Sequence, residues 1–140
     1  MIEFHFESIF ELDTTKYSDW VSRIISSETK VVGPVTFIFC NDDYLWDINM
    51  KYLNHDTLTD IITFDYCEGN SISGDIFISI ERVKENAHDF EVEFYSELKR
   101  VMAHGVLHLS GYKDKSDKDA LVMRQKENEK IGMFHVEHSK

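Results

Sequence analysis

The sequence predicts an α+β fold in which a small mixed sheet of four strands packs with about five helices. Three observations support this class. Four short segments have the alternating or β-branched pattern of strands, and all of them lie within residues 1–79. Most of the helical patterns follow later in the chain. A turn-forming stretch, Glu68-Gly69-Asn70, separates the last two strand segments and favours antiparallel pairing between them.

The first half of the chain alternates strands with helices. Residues 2–8 alternate apolar and polar side chains and predict a strand, and residues 35–40 predict a buried strand from their β-branched and aromatic content. Helices are predicted over residues 17–27 and 43–51. The candidate caps are Thr14 or Thr15 for the first helix and Asn41 or Asp42 for the second.

The second half is mainly helical after two further strands, at residues 61–66 and 74–79. Ser79 is a natural cap for a helix that ends near residues 86–88. A central helix is predicted over residues 93–110 and a last helix over residues 117–131. The side chains expected to face inward from the last helix are Leu121, Val122 and Met123.

Length and composition indicate one domain over residues 1–140, with 42% hydrophobic residues and a sizeable core. The N-terminus lacks the pattern of a signal peptide, and no apolar run is long enough to span a bilayer. Cys40 and Cys67 lie in strand-like surroundings and are interpreted as reduced core thiols. A cytoplasmic location without membrane association is therefore expected.

The net charge of −11 argues against nonspecific binding of nucleic acid. The acidic excess lies before residue 112, because residues 112–140 carry 7 basic and 6 acidic residues. Basic residues near this end could guide a phosphate backbone, or they could only solvate a helix surface. They are Lys113, Lys115, Lys118, Arg124 and Lys126.

The stretch from His104 to Asp114 has the spacing of a metal site. His104 and His108 are four residues apart, so one helix face presents both rings. Gly111 can end the helix in a left-handed cap and turn the chain so that Asp114 returns as a third ligand. Three ligands with an open position are typical of a catalytic zinc-type site. A metal site at the end of the central helix is therefore predicted.

This spacing parallels the zinc motif of metzincin proteases, but one difference separates them. The protease motif has a general-base glutamate after its first histidine, and this chain has Gly105 there. Peptide hydrolysis by that route is therefore not expected, whereas metal binding is unaffected. A protein acceptor is expected for the free ring N–H of each histidine, and the candidates are Asp60, Asp75 and Glu97.

Four segments form a wider pattern. They are Ile48-Asn49-x-x-Tyr52 with Thr59-Asp60-Ile61-Ile62-Thr63-Phe64, then Gly74-Asp75-Ile76-Phe77-Ile78-Ser79, then His104-Gly105-x-Leu107-His108-Leu109-x-Gly111-Tyr112, and a last helix with Met123 and Glu127. In order and spacing they resemble the YbeY family of bacterial metal-dependent endoribonucleases, which act as ribosomal RNA maturation factors.

The resemblance implies a single-strand-specific endoribonuclease that acts in rRNA maturation and ribosome quality control. Its catalytic and metal-binding residues would be His104, His108 and Asp114, with one divalent ion, zinc or alternatively nickel or iron. The family has a third histidine where this chain has Asp114, and an arginine where it has Leu53. Arg100 and His55 are therefore the predicted substrate-binding residues.

The sequence is also compatible with two other functions. The acidic balance would also suit a metal hydrolase that acts on a small phosphoester or amide. It would equally suit a ribosome-assembly factor that binds rRNA or a basic ribosomal protein, with the metal mainly holding the fold.

Overall fold

The computed structural model describes residues 1–53 and 59–135. Four strands and five helices follow in the order β1 (Ile2–Phe6), α1 (Thr14–Ser27), β2 (Val31–Cys40), α2 (Asp42–Leu53), β3 (Ile61–Asp65), β4 (Ser71–Ser79), α3 (Ile80–Phe90), α4 (Phe94–Leu109) and α5 (Asp117–Gly132), with a 3-10 turn at Met133–His135. The predicted α+β class, the four strands and the five helices are confirmed.

The sheet is mixed and has the strand order β1-β2-β4-β3. Strands β1, β2 and β4 run parallel, whereas β3 pairs antiparallel with β4, as the turn at residues 68–70 predicted. Strand β2 begins four residues before its predicted start. Its register with β4 shifts between Val32 and Val35. Pro34, which lacks an N–H for the ladder, lies within this irregularity.

Helices α1 and α4 cover one face of the sheet and enclose the main core. Trp20, Phe37 and Met102 are fully buried there. Helix α2 covers part of the opposite face through Leu45, which packs with Cys40 and Ile62. Both cysteines are free, Cys40 buried and Cys67 half-buried. Within the described chain, no helix has the length and apolar content needed to span a bilayer.

Two predictions about the helices were wrong in detail. Asp13, and not Thr14 or Thr15, caps α1, because its carboxylate accepts a hydrogen bond from the Lys16 amide. On α5, Leu121 and Val122 are exposed, and the inward stripe contains Met123, Glu127 and Lys130. Buried ion pairs replace apolar contacts along much of this stripe, so the apolar pattern indicated the wrong face.

Candidate metal centre

Helix α4 presents both histidines from one face near its C-terminus, while its other face is buried against the sheet. The rings of His104 and His108 lie 4.8 Å apart between centroids, with their planes inclined at 75°. Their side chains are 22% and 32% exposed, so both can reach solvent or a ligand. The spacing of four residues therefore produces the paired rings that it predicted.

Gly111 ends α4 and reverses the chain as predicted. Its φ of +110° lies in the region that favours glycine. The Gly111 amide donates to the His108 carbonyl at 3.0 Å, and the Tyr112 amide donates to the Leu107 carbonyl at 3.0 Å. This pair of bonds is the Schellman arrangement that closes a helix. Three residues beyond Gly111, the chain has returned far enough for Asp114 to face the two rings.

The three predicted ligand atoms converge in the structure. Oδ2 of Asp114 lies 3.2 Å from Nε2 of His104 and 3.4 Å from Nε2 of His108, and one ligand atom from each residue lies within 4.8 Å of the others. Ligands bonded to zinc at about 2.0–2.2 Å in a tetrahedron are themselves about 3.3–3.6 Å apart. The spacing and the donor set therefore fit a divalent ion of this kind.

A small cleft opens at these ligands, with a volume of about 400 Å³. Besides the three ligand residues, it is lined by Thr59, Asp60, Ile61 and Thr63. With only three protein ligands, an ion held here would keep a position open toward the cleft. A water molecule or a phosphate oxygen is small enough to enter it.

Glu127 orients the first histidine. Nδ1 of His104 lies 2.7 Å from Oε2 of Glu127, whose side chain is 7% exposed. The guanidinium of Arg100 donates to Oε1 of Glu127 at 2.9 Å and to Oδ1 of Asn128 at 2.8 Å. A proton on Nδ1 satisfies the carboxylate and leaves the lone pair of Nε2 directed at the ligand cluster. Arg100 and Glu127 thus fix which ring nitrogen can bind metal.

The pKa values of this pair follow from the same contacts. Burial lowers the pKa of His104, but the hydrogen bond that its ring donates to Glu127 and the charges of Glu127 and Asp114 outweigh burial and raise it. Burial raises the pKa of Glu127, yet His104 and Arg100 bring it below its usual value. The carboxylate is therefore ionised at neutral pH and available as an acceptor.

The acceptors predicted for the histidine N–H groups were wrong for His104. Asp60 instead accepts a hydrogen bond from the Asn86 amide, Asp75 accepts one from the Tyr66 hydroxyl, and Glu97 contacts neither histidine. Glu127 was missed in this role because it lies 23 residues from His104 in the chain. The one signal was an acidic residue four positions after Met123, on the same helical face.

Of the two predicted substrate-binding residues, the structure describes Arg100 but not His55. Arg100 lines a second cleft of about 370 Å³, which also includes His104 and Asp114, although its guanidinium is engaged by Glu127 and Asn128. His55 lies outside the described residues. Among the predicted basic rim, Arg124 lines the same cleft with a side chain that is 62% exposed, whereas Lys126 pairs with Glu28 on another side of α5.

The chain is similar to proteins of one family over nearly all of its length. A sequence model of the family described as Endoribonuclease YbeY matches residues 2–135. Proteins named Endoribonuclease YbeY are 62% identical in Flavobacterium johnsoniae over 98% of this chain and 99% of that one, and 60% identical in Flavobacterium psychrophilum over 99% and 100%.

The fold is also similar to a solved structure. The solution structure of a Thermotoga maritima protein superposes with a TM-score of 0.73 at 28% identity, covering 96% of this chain and 89% of that one. The resemblance noted in the motifs thus extends from the metal centre to both ends of the fold. With the family model and the relatives covering nearly every residue, the chain belongs to the YbeY endoribonuclease family.

Proposed function

We propose that this chain is a metal-dependent endoribonuclease that acts as one domain, residues 1–140, in rRNA maturation and ribosome quality control. Its substrate is single-stranded RNA, and the reaction is hydrolysis of a phosphodiester bond. The observation that carries the proposal is the convergence of His104, His108 and Asp114 beside a cleft that two arginines line. The relatives named as endoribonucleases support the same activity.

His104, His108 and Asp114 would hold one divalent ion and form the catalytic centre. Bound there, the ion would polarise a phosphoryl oxygen and lower the pKa of a water molecule. Nitrogen and carboxylate donors suit zinc, with nickel or iron as alternatives. In the neutral ring, Glu127 keeps the proton of His104 on Nδ1, so Nε2 carries the lone pair that would bind the ion.

Arg100 and Arg124 would stabilise the negative charge that develops on the phosphate. Arg100 is held in place through Glu127, and the side chain of Arg124, 62% exposed, is accessible to a strand entering the cleft. His55 remains a predicted contact. These cations would take the role of the family arginine that Leu53 replaces here.

The cytoplasm is the proposed location, with rRNA as the partner and ribosomal proteins as further partners. The free thiols of Cys40 and Cys67 support a reducing compartment. An acidic chain with a net charge of −11 also suits contact with basic ribosomal proteins.

The proposal is tested with purified protein loaded with zinc and a labelled single-stranded RNA. The wild type should cut the RNA, and His108→Ala should abolish cutting. His88→Ala is the matched control, because the His88 side chain is 90% exposed and far along the chain from the ligands. Equal cutting by the His108 variant would instead identify a contaminating nuclease.

A separate experiment, which measures metal content, tests whether the carboxylate of Asp114 binds the ion. Protein prepared without added metal is analysed for bound elements, and Asp114→Asn is compared with the wild type. We expect lower occupancy in the variant, since an amide is a weaker ligand than a carboxylate. Unchanged occupancy would mean that water fills the third position.

An assembly factor whose metal only holds the fold is the alternative that the acidic charge favours. The discriminating experiment is a His104→Ala, His108→Ala double variant in cells that lack the wild-type protein. Restored ribosome maturation would favour the assembly factor over both nuclease and small-substrate hydrolase.

A further inference from the structure

Glu97 is a buried carboxyl group without a partner. It lies on α4, seven residues before His104, and is only 6% exposed. Across residues 1–53 and 59–135, its carboxyl oxygens take part in no hydrogen bond and no ion pair within 4 Å. Burying an acceptor without donors is costly, and nearly all buried polar groups in proteins are satisfied. A bound ligand with hydrogen-bond donors would provide the partners that this carboxyl group lacks.

The carboxyl group of Glu97 lines the cleft of about 370 Å³ that continues to the metal centre. His104 and Asp114 form one part of its wall, and Arg124 forms another. Phe90 stands at the rim, where 63% of it is exposed. A nucleotide next to one held at the metal centre would therefore enter this cleft.

A cation and a phosphate are both poor partners for Glu97 itself. In the described chain, the group of three converging ligand atoms is the one at His104, His108 and Asp114, and Glu97 belongs to no second group. The guanidinium of Arg100 in the same wall would also repel a cation. A phosphate would be repelled by the carboxylate of Glu97. A neutral, planar group with hydrogen-bond donors on its edge satisfies both Glu97 and the exposed ring of Phe90.

We propose that this cleft is a base-recognition pocket in which Glu97 binds guanine next to the scissile phosphate. The proposal rests on the proposed endoribonuclease function. An ionised carboxylate only accepts hydrogen bonds, and guanine offers two adjacent donors, N1–H and the 2-amino group. The other common bases place an acceptor beside the donor. Phe90 supplies the aromatic surface on which unpaired bases of RNA stack.

The electrostatics of Glu97 agree with this assignment. Burial, and after it the charge of Asp60, raise the pKa of Glu97. Two donors from a bound base would stabilise the ionised carboxylate and compensate for its burial. Asn86, which lines the same cleft, donates its amide to Asp60 at 3.3 Å and so provides Asp60 with a partner of its own.

The test compares nucleotides that differ in one group. Zinc-loaded full-length protein is titrated with GMP, IMP and dGMP, and binding is followed by NMR. IMP lacks the 2-amino group, whereas its phosphate can contact the metal as GMP does. We expect GMP and dGMP to bind at least about tenfold more tightly than IMP. Equal affinities for GMP and IMP would overturn the proposal, as would a loss of affinity for dGMP, which would assign Glu97 to the ribose.

Variants then connect the preference to the carboxylate. Glu97→Gln should bring the GMP and IMP affinities close to each other. Glu93→Gln removes the same charge one turn earlier on the same helix, at an exposed position outside the cleft, and should keep the preference. A preference that survives in Glu97→Gln overturns the proposal. The comparison of GMP with IMP in the wild type still tests the proposal if that variant does not fold.

RNA cleavage by the same preparations separates this inference from the function on which it rests. Cleavage without any guanine preference overturns the pocket and leaves the endoribonuclease standing. Guanine preference without cleavage supports the pocket and contradicts the endoribonuclease.

Discussion

Two buried ion pairs lie one turn apart on α5, and they serve different ends. Glu127, 5% exposed, accepts a hydrogen bond from Arg100 and contacts Nδ1 of His104. The other ring nitrogen of His104 faces the ligand cluster. Lys130, 0% exposed, lies 2.7 Å from Glu28 at the end of α1 and also donates to Ser27. Its carbonyl accepts from the Trp20 indole at 2.7 Å. The second pair joins two helices and lines neither of the two clefts at the candidate metal centre.

The comparison shows that burial of charge alone does not identify a functional group. Both pairs desolvate a carboxylate and a cation, which costs energy unless the geometry is good. The two pairs differ in what they contact. Glu127 contacts His104, a predicted metal ligand beside a cleft. Lys130 contacts Glu28 and Ser27 at the end of another helix. Breaking each pair should therefore change a different measurable property.

The largest expected effect is on stability, in Lys130→Met. The change leaves the half-buried Glu28 with only Lys126 and Tyr112 as partners, so the free energy of unfolding should fall by about 3 kcal/mol. Urea denaturation of wild type and variant measures this. Metal affinity, determined by competition with a chelating dye, should remain as in the wild type. A large loss of metal affinity in the folded variant would contradict the division between the two pairs.

A smaller effect, on metal affinity, is expected in Glu127→Gln. Loss of the carboxylate that orients His104 should weaken metal binding by about 10- to 100-fold. The matched control is Glu129→Gln, which removes an acid from the same helix but belongs to the Lys130 pair. Its metal affinity should equal that of the wild type. If both variants weakened binding equally, a general loss of negative charge would explain the result, and Glu127 would have no special role.

The smallest effect concerns pH and the second pair. Burial raises the pKa of Glu28, but its hydrogen bonds with Lys130 and Tyr112 outweigh burial and lower the pKa below the ordinary value of 4.5. A lowered pKa adds stability above the unfolded value, and this stability is lost as the pH falls through the folded pKa.

The variant Glu28→Gln tests whether Glu28 stabilises the fold more at neutral pH than at acidic pH. The unfolding free energy of the wild type should exceed that of the variant by about 1 kcal/mol near pH 7. The gap should narrow as the pH falls below 4.5. Denaturation of both proteins over a series of pH values measures it. A gap that stays constant with pH would mean that Glu28 stabilises the fold without its charge.

Much of the metal centre could be predicted because its residues are close in sequence. His104 and His108 share a helix face by spacing alone, and Gly111 has the positive φ that a helix-closing glycine adopts. The antiparallel pairing of β3 and β4 followed from the short turn between them. These features depend on local geometry, which residue patterns encode directly.

The rest depends on contacts between distant segments. The contact of Glu127 with His104 follows from the packing of α5 on α4, and no pattern in either helix determines it. The apolar residues Leu121 and Val122 indicated one face of α5, whereas two buried ion pairs determined the other. The parallel pairing of β1 with β2 was not predicted, although a helix between two strands is the usual connection of a parallel pair.

Gly105 also separates this fold from the metal-dependent peptidases that share its histidine spacing. A Cβ at this position would lie 2.9 Å from Cδ1 of Ile61 and 3.1 Å from Cγ2 of Ile76. A glutamate there would point into the sheet, away from the two rings, and would push α4 off the strands. A single substitution at position 105 therefore does not place the protease base beside this pair of histidines. A peptidase could evolve from this fold by that substitution only if α4 first moved away from the strands and made room for the glutamate side chain.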